Sequence, residues 1–138
     1  DVCPTKATYQ RDDGIVAVDH DRCVGCGACI LACPYDAREI HTARHGFEAG
    51  TGQDVQREGT CTKCHFCLPS LEKGIQDGFK PGIDFEATPA CVATCLAGAL
   101  HFGDLDDPKS TVSKLICANR TITLGEGLGT KPSVYYII

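Results

Sequence analysis

Tryptophan and methionine are absent from these 138 residues, and Phe and Tyr supply the whole 7% aromatic fraction. The apolar core available is therefore modest, and one domain, or two very small ones sharing a centre, needs another source of stability. No apolar run approaches the ~20 residues of a membrane span. The net charge of −5 comes without a dense Lys/Arg stripe, which argues against nucleic acid as a partner. Paired catalytic carboxylates, a nucleophile–base pair and a nucleotide-binding glycine loop are also missing, so the chain itself does not read as an enzyme. It begins Asp1-Val2-Cys3-Pro4, with neither an initiator methionine nor a signal-like segment. Either something has been removed from the front or the numbering starts inside a longer protein.

Cysteine is what the chain has in abundance. Its 11 cysteines make about 8% of residues, the level at which a short chain reads as stapled by disulfides or metal. The odd count and tight spacings favour metal, and metal–thiolate bonds can stabilise what a small core cannot. Cys23-x2-Cys26-x2-Cys29-x3-Cys33-Pro34 fits the bacterial iron–sulfur run C-x2-C-x2-C-x3-C-P at every position. Three closely spaced thiolates can cap three irons of a cubane, and in two-cluster ferredoxins the fourth cysteine ligates the other cluster. Zinc sites instead take paired C-x2-C knuckles.

Around this run the chain reads as short elements. Gly14 to Asp19 alternates like a strand, Ala28 to Ala32 reads as a helical turn ended by Pro34, and Arg38 to His41 as a second strand. The stretch 42–60 is rich in Gly, Thr, Gln and charge and reads as a surface loop. Cys61, Cys64 and Cys67 follow, with Cys91 and Cys95 beyond a long gap. Leu68 to Asp77 reads as a short helix, Gly78 to Pro89 as an inserted loop, and Gly98 to Asp104 as turn, strand, turn. Asp106-Asp107-Pro108 is a helix-start signature, with Pro108 at the first position of a helix to Arg120. Thr121 to Leu124 is β-prone. The organisation expected is 1–41, a half with a complete run; the loop 42–60; 61–107, a second cysteine region with an insert at 78–89; and 108–138, a C-terminal helix and docking tail.

Taken in order, several stretches resemble the iron–sulfur subunits of the DMSO-reductase type. They are Cys3-Pro4-Thr5-Lys6-Ala7-Thr8-Tyr9 with Asp13-Gly14-Ile15-Val16, the run Cys23 to Pro34 extended by Tyr35-Asp36-Ala37-Arg38, and Pro89-Ala90-Cys91-Val92 with Cys95. Phe102-Gly103-Asp104-Leu105-Asp106-Asp107-Pro108 with Val112-Ser113-Lys114-Leu115, and the closing Leu128 to Tyr136, complete the likeness. The cysteine runs alone are generic to ferredoxins; their order together with the Phe-Gly-Asp-Leu segment is more specific. Such subunits pass electrons to or from a molybdenum or tungsten bis-pterin (molybdopterin) catalytic subunit in polysulfide, thiosulfate, tetrathionate and DMSO reductases, formate dehydrogenases and phenylacetyl-CoA oxidoreductases.

The resemblance implies an α+β, bacterial ferredoxin-like fold, with short strands and helices wrapped around [4Fe–4S] clusters. The family has four cysteine runs, paired as two halves with four clusters. This chain holds the end of the second run, Cys3, and all of the third and fourth. It therefore corresponds to the C-terminal part of a longer subunit or to a shortened relative. Family pairing implies Cys3, Cys23, Cys26 and Cys29 as ligands of one cluster and Cys33 as a ligand of its partner cluster. Lys63-Cys64-His65-Phe66-Cys67 aligns with the family's Lys-Cys-Thr-Phe-Cys, which implies Cys64, Cys67 and Cys91 on a further cluster, with Cys95 reaching another. Alternatively a short chain rearranges, and Cys33 or Cys61 completes a second cluster locally. Leu96 in place of proline after Cys95, and the long gap from Cys67 to Cys91, depart from the family pattern.

Cys117, on the expected last helix beside Ile116, reads as a buried small hydrophobe. His65 reads as a solvent-facing loop residue or as a hydrogen-bond donor to cluster sulfur. Arg38 and Lys63 read as surface charges or as offsets to cluster charge. Gly25, Gly27 and Gly98 are expected to let backbone N–H groups approach sulfur. The tail Tyr135 to Ile138 is either a local edge strand or a docking segment, with docking favoured.

The expected role is single-electron relay through at least one [4Fe–4S] cluster, as a subunit beside a molybdopterin-containing catalytic partner and a membrane anchor or quinone-linked subunit. Its place would be a membrane-associated bacterial complex on either the cytoplasmic or the periplasmic side. A free-standing dicluster ferredoxin is the alternative, and a structural zinc module a weaker one.

Overall fold

The computed structural model describes residues 2–42 and 57–138, so most of the loop expected at 42–60 lies outside the described residues. The chain divides into two compact units, Asp1–His65 and Phe66–Ile138.

In the first unit, β1 (Thr8–Gln10) and β2 (Val16–Val18) pair antiparallel with Thr8 opposite Val18. Their turn is closed by Gly14, at φ 82, donating to the Arg11 carbonyl, while Asp13 Oδ1 accepts the Ile15 N–H at 3.1 Å. A left-handed residue is needed here, and glycine adopts it without Cβ strain. Ala7, Ile15 and Ala17 are buried along this hairpin. Asp19 then fixes the exit: its carboxylate accepts the N–H groups of Asp21 and Arg22, and its carbonyl accepts that of Cys23. The helical turn α1 (Ala28–Leu31) follows, then β3 (Glu39–Ile40), paired antiparallel with β4 (Cys61–Thr62) so that Ile40 faces Cys61.

In the second unit, α2 (Leu68–Gln76) buries Leu71 and Gly74 against a single 3-10 turn at Phe85–Ala87, where Ala87 is wholly buried. The segment expected as an inserted loop is thus the packing partner of α2. A Cβ on Gly74 would sit 2.4 Å from the Glu86 carbonyl oxygen, so only glycine permits this approach. The turn α3 (Ala90–Ala93) comes next, then α4 (Thr111–Ala118), β5 (Thr121–Ile122) and β6 (Tyr136–Ile137), the last two paired antiparallel.

Three expectations are corrected. The strand expected within Gly98 to Asp104 does not form. Phe102 instead packs its ring on Phe66 (centroids 5.4 Å apart), and its carbonyl lies where a Cβ on Gly82 would stand, 1.9 Å away. The last helix starts at Thr111, not Pro108: Asp107 Oδ1 is used by the Lys109 N–H, and Ser110 Oγ caps the helix by accepting the Ser113 N–H at 3.1 Å. Cys117 is exposed, because the half-buried side of α4 carries Val112, Leu115 and Ile116, and Cys117 falls off that stripe. Of the two readings of the tail, the local edge strand forms, as β6 against β5, and the side chains of Tyr135 to Ile138 stay exposed. Among the described residues, no helix is long and apolar enough to cross a membrane.

Candidate metal centre

The stretch Cys23 to Cys29 borders a cavity lined by Cys3, Cys23, Cys26, Cys29 and Cys61 together with Thr5, Thr8, Val24, Gly25 and Gly27. Local rules put the thiols there. The Asp19 cap turns the chain at Cys23. Gly25 (φ 65) lies so close to Gly59 that a Cβ would stand 2.1 Å from the Gly59 carbonyl oxygen. Gly27, at φ 73, starts α1, and its carbonyl accepts from Ile30 and Leu31. These conformations aim Cys26 and Cys29 at the same space as Cys23. Cys3 reaches it from the segment preceding β1, and Cys61 from β4.

The structure thus brings together Cys3, Cys23, Cys26 and Cys29, the set the family pairing implies for one cluster. Cys33 does not line the cavity. It is half-buried, with its sulfur accepting the Ala37 N–H at 3.5 Å. Cys61 joins the first set, because β3–β4 pairing carries it across from the second cysteine region. The spacing of the cysteines gives Cys61 only a marginal place. The signal that could have found it is a strand position two residues before Lys63-Cys64, opposite the apolar Ile40.

Hydrogen bonds converge on these sulfurs. The Cys61 N–H donates to Cys23 Sγ at 3.3 Å, and Thr5 Oγ1 lies 3.6 Å from Cys3 Sγ. The Thr8 N–H and the Thr5 hydroxyl lower the Cys3 pKa to about 7. Cys61 is nearly sealed, at 2% exposure; burial, followed by the neighbouring Cys29, pushes its pKa up. Arg38, half-buried, donates to Thr8 Oγ1 at 3.1 Å and reaches Cys61 Sγ at 3.7 Å. Lys63, held down chiefly by burial and then by Arg38, bonds the Cys64 carbonyl.

The donor set suits an iron–sulfur cluster. Every ionisable group on the wall is a thiol, with no carboxylate or imidazole, and soft thiolates select Zn, Cu(I) or iron–sulfur clusters. The C-x2-C-x2-C spacing of Cys23, Cys26 and Cys29 on this wall is that of an iron–sulfur loop, whereas structural zinc takes paired C-x2-C knuckles.

The second cysteine region repeats the local pattern of the first. Ile30, Leu31, Ala32 and Cys33 donate to the carbonyls of Gly27, Gly27, Ala28 and Ile30; Val92, Ala93, Thr94 and Cys95 do the same to Pro89, Pro89, Ala90 and Val92. Asp36 (φ 50) and Gly98 (φ 59) follow at the same distance from Cys33 and Cys95. Gly25 before Cys26 matches Phe66 before Cys67, both with positive φ. Cys95 resembles Cys33 in its sulfur environment, where backbone N–H groups, first that of Ala99 and then that of Leu100, lower its pKa. Cys64 and Cys91 are exposed, Cys67 is half-buried, and His65 is half-buried beside them in sequence.

Comparison with known proteins agrees with this geometry. Residues 16–39 match the 4Fe-4S binding domain. Over 99% of the chain, it is 47% identical to a Halobacterium salinarum protein named for a dimethyl sulfoxide reductase iron–sulfur subunit, and 39% identical to a selenate reductase subunit of Mesobacillus selenatarsenatis. Over 98% of the chain, it is 40% identical to an Hdr-like menaquinol oxidoreductase iron–sulfur subunit of Archaeoglobus fulgidus. The aligned parts cover 48%, 49% and 50% of those relatives, so the chain spans about half their length. A cysteine-lined cavity at the matched 4Fe-4S binding domain, and similarity running along almost every residue, make this chain similar to one half of the iron–sulfur subunits of reductases.

Proposed function

We propose that this chain relays single electrons through [4Fe–4S] clusters, as the electron-transfer subunit of a complex whose catalysis takes place on a partner carrying a molybdenum or tungsten bis-pterin. The observation that carries the reading is the convergence of Cys3, Cys23, Cys26 and Cys29 on one cavity in a chain that aligns end to end with subunits of reductases. These cysteines would hold one cluster, with Cys33 on its partner, Cys64, Cys67 and Cys91 on a further cluster, and Cys95 on another.

The bound cluster supplies a one-electron couple whose potential depends on net charge, hydrogen bonds to sulfur and solvent exposure. The chain's own groups govern those quantities. The Cys61 N–H and the Thr5 hydroxyl stabilise added negative charge on sulfur, and Arg38 places a fixed positive charge beside the wall. Alignment over 99% of the chain with subunits of reductases favours a subunit over a free ferredoxin. The relatives' names span dimethyl sulfoxide, selenate and menaquinol chemistry, so the relay role is the shared element.

Co-expression with a candidate pterin subunit, followed by size-exclusion chromatography, tests the assembly. A stoichiometric complex in which the clusters oxidise when the partner's substrate is added is the expected result. A stable monomer with reversible redox behaviour and no electron exchange with any such subunit would overturn it.

A further inference from the structure

Cys61 is not needed to complete the four-thiol set of Cys3, Cys23, Cys26 and Cys29, yet it is the most buried cysteine of the cavity wall. Three contacts define its place. Its backbone N–H donates to Cys23 Sγ at 3.3 Å, its sulfur lies 3.5 Å from Cys29 Sγ, and Arg38 Nη1 reaches that sulfur at 3.7 Å. The β3–β4 pairing opposite Ile40 fixes the backbone, and Arg38 is itself steadied by Thr8 Oγ1.

The geometry points to Cys61 as a positioning residue that is not a ligand: it links the Arg38 guanidinium to two cluster thiolates and sets the cluster's reduction potential. This inference rests on the cluster reading above. A ligating Cys29 sulfur is a thiolate and can only accept, so the hydrogen between the two sulfurs belongs to Cys61. The Thr62 carbonyl, 3.8 Å from Cys61 Sγ, is a competing and more distant acceptor. Arg38, donating to the same sulfur, polarises the S–H toward Cys29, as successive hydrogen bonds strengthen one another in a poorly solvated site. Donors to thiolate favour the reduced cluster, which carries one more negative charge, and so raise the potential.

The test uses the reconstituted full chain, with iron and acid-labile sulfide content, far-UV circular dichroism and an EPR-monitored redox titration. The relevant signal is the one lost in Cys26→Ala. Cys61→Ala is expected to keep its iron and sulfide and to lower the potential, shifting the reduction equilibrium severalfold to about tenfold, where tenfold is about 59 mV for one electron. Cys61→Ser, which retains a donor of similar size, should restore part of the shift and serves as the readout if the alanine variant is unstable. Arg38→Gln should also lower the potential in the wild-type background, and by less in the Cys61→Ala background, where only its direct charge still acts.

Loss of this cluster's iron from a folded Cys61→Ala protein would make Cys61 a ligand and overturn the inference. Full cluster content with an unchanged potential, or full additivity of the two substitutions, would overturn it too. A wild-type protein without iron and sulfide would instead refute the cluster reading on which it rests.

Discussion

Gly25 and Gly27 offer a matched pair for testing how tightly the cysteine loop is held. Both have positive φ, 65 and 73, so alanine at either costs about 1–2 kcal/mol of left-handed strain. Only Gly25 meets a wall. Its added Cβ would lie 2.1 Å from the Gly59 carbonyl oxygen and 3.3 Å from its carbon, whereas Gly27 has nothing within 4 Å. Relief requires a backbone separation of roughly 1.3 Å. That movement would pull Gly59–Cys61 from the loop and weaken the Cys61 N–H bond to Cys23 together with the His41–Thr60 pairing. Each such bond contributes about 0.5–1.5 kcal/mol, so Gly25→Ala should cost about 3 kcal/mol in all and Gly27→Ala about half as much. Anaerobic thermal transitions and iron content of the reconstituted proteins provide the comparison. Gly25→Ala should reconstitute poorly and melt well below Gly27→Ala. Equal behaviour of the two variants would refute the close approach of Gly25 to Gly59 as the feature that shapes the cavity.

The remaining predictions concern other parts of the chain. Gly74→Ala, which in an ordinary helix interior would gain about 1 kcal/mol, should instead destabilise by about 1–3 kcal/mol, because its Cβ meets the Glu86 carbonyl at 2.4 Å and Ala87 Cα at 2.8 Å; a raised melting temperature would contradict the packing of α2. Ser110→Ala should cost about 1 kcal/mol through its lost cap on Ser113, with Pro108→Ala nearly neutral; equal losses would return the helix start to Pro108. In the cluster-free protein, Cys3 should alkylate with a midpoint near pH 7, well below its ordinary value of 9.0, because its folded thiolate is stabilised and persists down to that pH. Thr5→Val should move that midpoint upward, and an unmoved midpoint would exclude the hydroxyl as a cause of the shift.

What could be read from sequence followed the range of each signal. The run Cys23 to Pro34, the strand at Val16–Val18 and the helix at Leu68–Gln76 rest on residues a few positions apart, and they stand where their patterns place them. Cys61 beside Cys29 was not legible, because it depends on pairing between β3 and β4, two short strands separated by the long 42–60 stretch. At α4, two local capping signals competed. Asp107 bonded within the preceding turn, and Ser110 became the cap. The absent strand near Phe102 was a tertiary effect, since close approach at Gly82 and ring contact with Phe66 occupy a segment whose composition alone is β-prone.

Everything proposed for this chain depends on Cys3, Cys23, Cys26 and Cys29 holding one [4Fe–4S] cluster. Iron and acid-labile sulfide analysis with EPR of the dithionite-reduced protein, made on wild type, Cys3→Ala, Cys26→Ala and Cys33→Ala, tests it most directly. Cys3→Ala and Cys26→Ala should lose the same signal while Cys33→Ala retains it. Zinc in place of iron and sulfide, or a Cys3→Ala protein with that signal intact, would contradict the assignment.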